Sequence, residues 1–171
     1  DANPGRLNLF ERDGVLALVD FAHNEAGLVG LLEVCRSLVG VRRRGRRRGE
    51  VHLAVGTAGD RTDEVVHSLG VLAGQGADDL VIGEKRHYLR GRDLGGMNAI
   101  LRAGAAEGGY AGEVEALPTE LEALRVLLER SRPGDVAAVM SHAERTEIFA
   151  WLEQNGYRGV GAERLRELLA T

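Results

Sequence analysis

Val15-Leu16-Ala17-Leu18-Val19-Asp20-Phe21-Ala22-His23-Asn24 is the stretch whose reading decides the fold. Five consecutive apolar residues read as a buried strand, and such runs belong to parallel sheets covered by helices. The run stops at an acid, and a histidine and an amide follow before the next amphipathic segment. Polar groups therefore emerge at the carboxyl end of a buried strand, where open α/β sheets bind ligands. Upstream, Leu7-Asn8-Leu9-Phe10-Glu11 alternates in strand fashion. Arg12-Asp13-Gly14 joins the two runs, with glycine supplying the positive φ of a tight turn. Strands are expected over 7–11 and 15–20.

Downstream the pattern alternates helix and strand. Leu28, Leu31, Leu32, Cys35, Leu38 and Val39 share one face of a helix over 25–39. Strands follow at 51–55 and 79–83, a weaker one near 113–116, and another at 136–140. Helices are expected at 63–75, near 94–106, at 119–131, 144–154 and 163–170. Thr119 with Glu122 forms a capping box for the fourth of these six helices. Repeated β-α order calls for a parallel sheet with helices on both faces. The expected fold is α/β: a Rossmann-like three-layer sandwich of about six strands, mostly parallel, with one antiparallel hairpin strand. At 171 residues the chain reads as one domain, 1–171.

Composition narrows the function classes. The net charge is −4, which gives no global signal for nucleic acid. The basic run Arg42-Arg43-Arg44-Gly45-Arg46-Arg47-Arg48 reads as a solvated block, with a polyanion contact as the alternative. No stretch reaches the ~18 apolar residues of a membrane span, and no secretion signal opens the chain. The lone Cys35 falls on an apolar helix face and reads as a small buried hydrophobe. One cysteine allows no internal disulfide, which fits a reducing cytoplasm. Histidines 52, 67, 87 and 142 lack metal-ligand spacing, so no metal site is assigned.

Several polar clusters fall at strand ends. Asp20 can accept two ribose hydroxyls or a base amine; His23 and Asn24 can reach phosphate oxygens or orient a loop. The plain alternative is that Asp20 or Asn24 caps the next helix. Arg6 follows Pro4-Gly5, and its guanidinium suits phosphate or ribose oxygens; a solvated surface arginine is the alternative. Gly56-Thr57-Ala58-Gly59-Asp60-Arg61 lies at a strand-to-helix turn, where glycine lets backbone approach an anion. An ordinary turn capped by Asp60 or Thr62 fits equally. Glu84 to Arg92 offers several cations, including Lys85, Arg90 and Arg92, at another strand end; a solvated loop is the plain alternative. Ser141-His142 follows the strand 136–140; adjacent residues rarely face each other, so no catalytic triad is read there. The readings left are Ser141 as a helix cap and substrate binding at the mouth of the cleft.

Two of these segments carry a resemblance. Asn3-Pro4-Gly5-Arg6-Leu7-Asn8-Leu9-Phe10, with Val19-Asp20-Phe21-Ala22-His23-Asn24, resembles the start of the C-terminal domain of the Mur ligase family. The wording is most similar to the cyanophycin synthetase-like branch. The resemblance implies an ATP-dependent ligase: ATP phosphorylates a carboxylate, and an amine attacks the acyl phosphate to form an amide. It implies nucleotide contacts from Arg6, Asp20, Gly59, Asp60 and Arg61, and a catalytic role for His23 and Asn24. It implies an amino-acid-like amine held by Arg90, Arg92, Ser141 and His142. Glu25 stands where many relatives have proline, and Lys85-Arg86-His87 stand where that branch carries an acidic stretch. No G-x-x-x-x-G-K-[ST] loop occurs, and no Gly-Lys pair at all. In the family that loop, and most of the Mg binding, belongs to an upstream central ATPase domain. This chain is therefore expected to be the C-terminal domain of a longer protein and inactive alone. The alternative is a stand-alone nucleotide-binding or regulatory module without catalysis.

Overall fold

The computed structural model describes residues 7–39 and 49–170. Arg6 and the 42–48 basic run lie outside the described residues. The described chain forms β1 (Asn8–Arg12), β2 (Val15–Asp20), α1 (Glu25–Leu38), β3 (Val51–Val55), α2 (Asp63–Gly76), β4 (Asp79–Gly83), α3 (Leu94–Glu107), β5 (Glu115–Leu117), α4 (Glu120–Arg130), β6 (Val136–Met140), α5 (Arg145–Gln154), β7 (Arg158–Gly159) and α6 (Ala162–Leu169). No helix among these residues is long and apolar enough to cross a membrane.

The strands order as β5-β4-β3-β6-β2-β1-β7 in one sheet. β2 through β6 pair in parallel. β1 is antiparallel to both β2 and β7, so it alone runs against the rest. This is the mostly parallel three-layer fold expected, with seven strands in place of about six. The additional one, β7, is two exposed residues completing the edge beside β1; two residues carry no periodicity to read.

Side-chain parity divides the core. Leu16, Leu18, Leu53, Val55, Leu80, Ile82, Val136, Ala138 and Met140 face one layer with Leu28, Leu31, Leu69 and Leu101 from α1, α2 and α3. Ala17, Val19, Ala54, Val81, Ala137 and Val139 face the other, against Leu124, Leu127, Ile148 and Leu152 of α4 and α5. The period of two along each strand sends alternate residues to opposite faces. Both faces are covered, so β3 and β6 are buried throughout and β2 is buried as far as Val19. Cys35 lies within the first layer, and burial pushes its thiol up to about 12.

Topology places the site. After β2, β3 and β4 the chain steps toward β5, with α1, α2 and α3 on one face. It returns through α4 on the other face and inserts β6 between β3 and β2. The helices that follow β2 and β3 therefore diverge from the helix that follows β6. That divergence opens a crevice at the carboxyl ends of these strands, the switch point of an open α/β sheet.

Candidate functional site

A cleft of about 250 Å³ occupies that crevice. Phe21 and His23 come from the loop after β2; Thr57, Ala58, Asp60 and Arg61 from the loop after β3. Tyr88 comes from the loop after β4 and His142 from the loop after β6. Of the residues singled out in the sequence, the cleft wall thus unites His23, Asp60, Arg61 and His142. Asp20, Asn24, Gly59, Arg90, Arg92 and Ser141 stand behind or beside it. Phe21 is 41% exposed and lies between two imidazoles, with ring centroids 5.4 Å from His23 and 5.3 Å from His142.

The loop after β2 is built from its own polar groups. Asn24 caps α1, its Oδ1 accepting from Gly27 N at 2.8 Å. Its side-chain oxygen is thereby committed to the helix, the plain reading of that residue. Asp20 accepts from Leu7 N at 2.7 Å through Oδ2. No hydrogen bond to its Oδ1 occurs among the described residues. His23 Nδ1 lies 3.2 Å from Phe21 O. The carbonyl can only accept, so Nδ1 is the donor in this contact.

The loops after β3 and β4 are welded together. Gly59 donates its N–H to Tyr88 O at 2.8 Å, and a Cβ there would sit 1.8 Å from Leu89 O. The N–H expected to face a phosphate is spent inside the protein, so this position needs glycine for loop contact. Arg92 donates to Arg61 O at 2.5 Å and pairs with Asp63. Its guanidinium therefore joins the loop after β4 to the start of α2, where a direct substrate contact was expected. Arg90 is exposed and has no ion pair among the described residues.

The loop after β6 closes around a buried charge pair that sequence reading missed. Lys85 Nζ lies 2.5 Å from Glu120 Oε1, with both side chains 2% exposed, and also donates to Met140 O. Glu120 accepts further from Ser141 Oγ at 2.8 Å and from the N–H groups of His142, Ala143 and Glu144. Ser141, expected at the substrate, is buried against Glu120. Lys85, read as part of a solvated cationic stretch, is an interior group. Burial pushes the Lys85 ammonium below the ordinary lysine value, against the pull of Glu120. Burial alone would raise the Glu120 carboxyl, but Lys85 and the converging donors outweigh it and hold it at about 2.

His142 Nε2 lies 2.6 Å from Ala22 O and donates to it. Burial first, then the charge of Lys85, push its pKa down to about 4, so the ring is neutral at pH 7. Thr57 has no role of its own in the sequence reading of this loop. It is 4% exposed, lines the cleft, and its hydroxyl has no hydrogen bond among the described residues. A buried hydroxyl without a partner is costly unless something in the cleft supplies one. A smaller pocket of about 180 Å³ lies beside Tyr88, lined by the segments 84–88 and 118–120, which include Lys85 and Glu120, and by Ala143 and Glu144. No group of three or more His, Cys, Asp or Glu side chains among the described residues could hold a metal ion.

The chain is thus an open α/β domain whose candidate site is assembled from four loops at the sheet's switch point. A match to the family described as "Mur ligase, glutamate ligase domain" spans residues 5–143, and the chain belongs to that family. It is 32% identical over 136 residues to the cyanophycin synthetase of Crocosphaera subtropica, covering 80% of this chain and 14% of that protein. It is 31% identical over 137 residues to the UDP-N-acetylmuramoyl-L-alanyl-D-glutamate--2,6-diaminopimelate ligase of Corynebacterium glutamicum, covering 78% of this chain and 25% of that one. Among solved structures, a ligase of the same diaminopimelate-adding name superposes with a TM-score of 0.68 at 18% identity, over 91% of this chain and 32% of that one. The chain therefore spans a quarter or less of the two curated relatives and a third of the solved one. Its relatives are ligases, and it shares their domain.

Proposed function

We propose that this chain is the C-terminal domain of an ATP-dependent acid–amino acid ligase, closing over the nucleotide and presenting the amine substrate. The observation that carries this reading is the switch-point cleft, where loops from β2, β3, β4 and β6 meet around the buried hydroxyl of Thr57, which has no hydrogen bond among the described residues. The cleft fits a phosphorylated ligand: Arg61 offers a partly exposed guanidinium, Thr57 a hydroxyl donor, and Asp20 a carboxylate oxygen for sugar hydroxyls. Arg6 belongs to the same proposal, as the family resemblance implies.

When bound, ATP supplies the phosphoryl group that activates the acceptor carboxylate. Magnesium is proposed to sit mainly on an upstream central domain of the same protein. This chain's residues bind, orient and exclude water. Phe21 and Tyr88 wall the cleft, and closing such a wall protects an acyl phosphate from hydrolysis. Arg90, exposed and without an ion pair among the described residues, is suited to the carboxylate of an amino-acid-like amine. An attacking amine must lose a proton. A histidine held near pH 4 is a poor acceptor at neutral pH, because its affinity for a proton falls well short of an ammonium's. His23, whose Nε2 has no hydrogen bond among the described residues, is the proposed acceptor in the cleft wall, and His142 orients the wall behind it.

The test is a pair of variants in the intact protein. Asp20→Ala should weaken ATP binding by about tenfold to hundredfold, the worth of a charge-assisted hydrogen bond. Arg90→Ala should raise the apparent KM for the amine and spare that for ATP. Unchanged ATP affinity in both Asp20→Ala and Arg61→Ala would remove the nucleotide assignment.

A further inference from the structure

Lys85 and Glu120 come from different parts of the chain and meet where neither faces solvent. Lys85 follows β4, and Glu120 is the first residue of α4. The carboxylate collects one ammonium, one hydroxyl and three successive backbone N–H groups. Successive N–H groups after a parallel strand form a concavity suited to an external anion. Here the chain fills that concavity with its own side chain. The consequences run outward: the segment 141–144 is fixed, so His142 is seated with Nε2 on Ala22 O, and its ring abuts Phe21. Phe21 in turn abuts His23.

We infer that the Lys85–Glu120 pair is a positioning device for the candidate site: Glu120 occupies the anion concavity after β6 and thereby sets His142, Phe21 and His23 in the cleft wall. This goes beyond the functional reading above in giving a role to two residues whose side chains are buried against each other. Three alternatives are thereby disfavoured. Lys85 does not greet an acidic amine, because its Nζ is enclosed. Ser141 does not bind substrate directly, because its hydroxyl is donated to Glu120. The loop after β6 does not hold a phosphate, because its N–H groups are taken. Replacing a buried pair by neutral side chains of similar volume is often tolerated by the fold, which separates positioning from folding.

The first test is Lys85→Met/Glu120→Gln in the intact protein, read by melting temperature, turnover, and the titration of His142 followed by NMR on labelled histidines. Lys85, Glu120 and His23 are the titratable groups that bear on His142. The double variant removes the opposing effects of Lys85 and Glu120 together, so the titration mainly reports loosening of the seat. The expected result is a near-native melting temperature, a His142 titration moved upward from about 4, and turnover lowered about tenfold to hundredfold by misplacement. A folded double variant with His142 and turnover both unchanged would overturn the inference. The second test is Glu120→Gly with added formate. Amide exchange across 141–144 should accelerate, and formate should restore protection by refilling the concavity; no acceleration in the folded variant would also overturn it. If the intact protein shows no ligase turnover at all, the functional reading falls, while the titration and exchange results still decide this one.

Discussion

His142 and His52 are both largely buried, yet their protonation moves in opposite directions. His142 is depressed to about 4 by burial and by Lys85. The unfolded chain therefore takes up more protons between ~6.5 and ~4, and stability falls as the pH drops through that window. The loss is at most about 3 kcal/mol. His142→Gln should flatten the decline of unfolding free energy between those pH values in urea titrations; an unaltered slope would contradict the assignment. Burial also pushes His52 down, but Asp79 at 2.9 Å and Asp135 at 3.4 Å outweigh it and raise its pKa. Its stabilisation is complete below the ordinary histidine value and is lost as the pH rises through the raised folded value. His52→Gln should therefore destabilise more at pH 6 than at pH 9. Equal losses at both would mean that His52 is held as the neutral ring.

Glycines separate helix–helix contact from mere helix content. In α2 and α3 a Cβ on Gly104 would lie 2.2 Å from His67 O, and one on Gly74 would lie 2.3 Å from Ala105 O. Nothing lies within 4 Å of the corresponding position on Gly30 in α1. Gly104→Val should cost about 3 kcal/mol or more, because backbone must move. Gly30→Ala should stabilise by about 0.5–1 kcal/mol through helix propensity. Denaturant unfolding of the two variants decides this, and equal effects would refute the packing argument. The contrast also shows what a linear reading reaches. Helix starts at Asn24 and Thr119 were legible because a cap acts on backbone three residues away. The buried runs of β2, β3 and β6 were legible because a sheet covered on both faces needs no alternation. Gly59 resembled an anion loop, yet the carbonyl that takes its N–H belongs to Tyr88, far along the chain after β4. Lys85 resembled a solvated cation because nothing local announces Glu120. Contacts made by tertiary return of the chain leave no periodic mark.

At the scale of the whole molecule, the sheet order brings four loops to one edge, and internal bonds bind them into a single wall. Gly59 and Arg92 tie the loops after β3 and β4, while Lys85 and Glu120 tie those after β4 and β6. Gly59→Ala should therefore impair ATP and amine parameters together, unlike Asp20→Ala or Arg90→Ala; steady-state kinetics in both substrates would show it, and an effect confined to one would break the weld. The purified 171-residue chain should turn over no ATP, since it carries no phosphate loop. The most direct test of the nucleotide cleft is photolabelling of the intact protein with an azido-ATP, followed by peptide mapping. The account predicts ATP-competable label on peptides carrying Phe21 to His23 or Thr57 to Arg61. Efficient, competable labelling confined to segments outside this chain would contradict it.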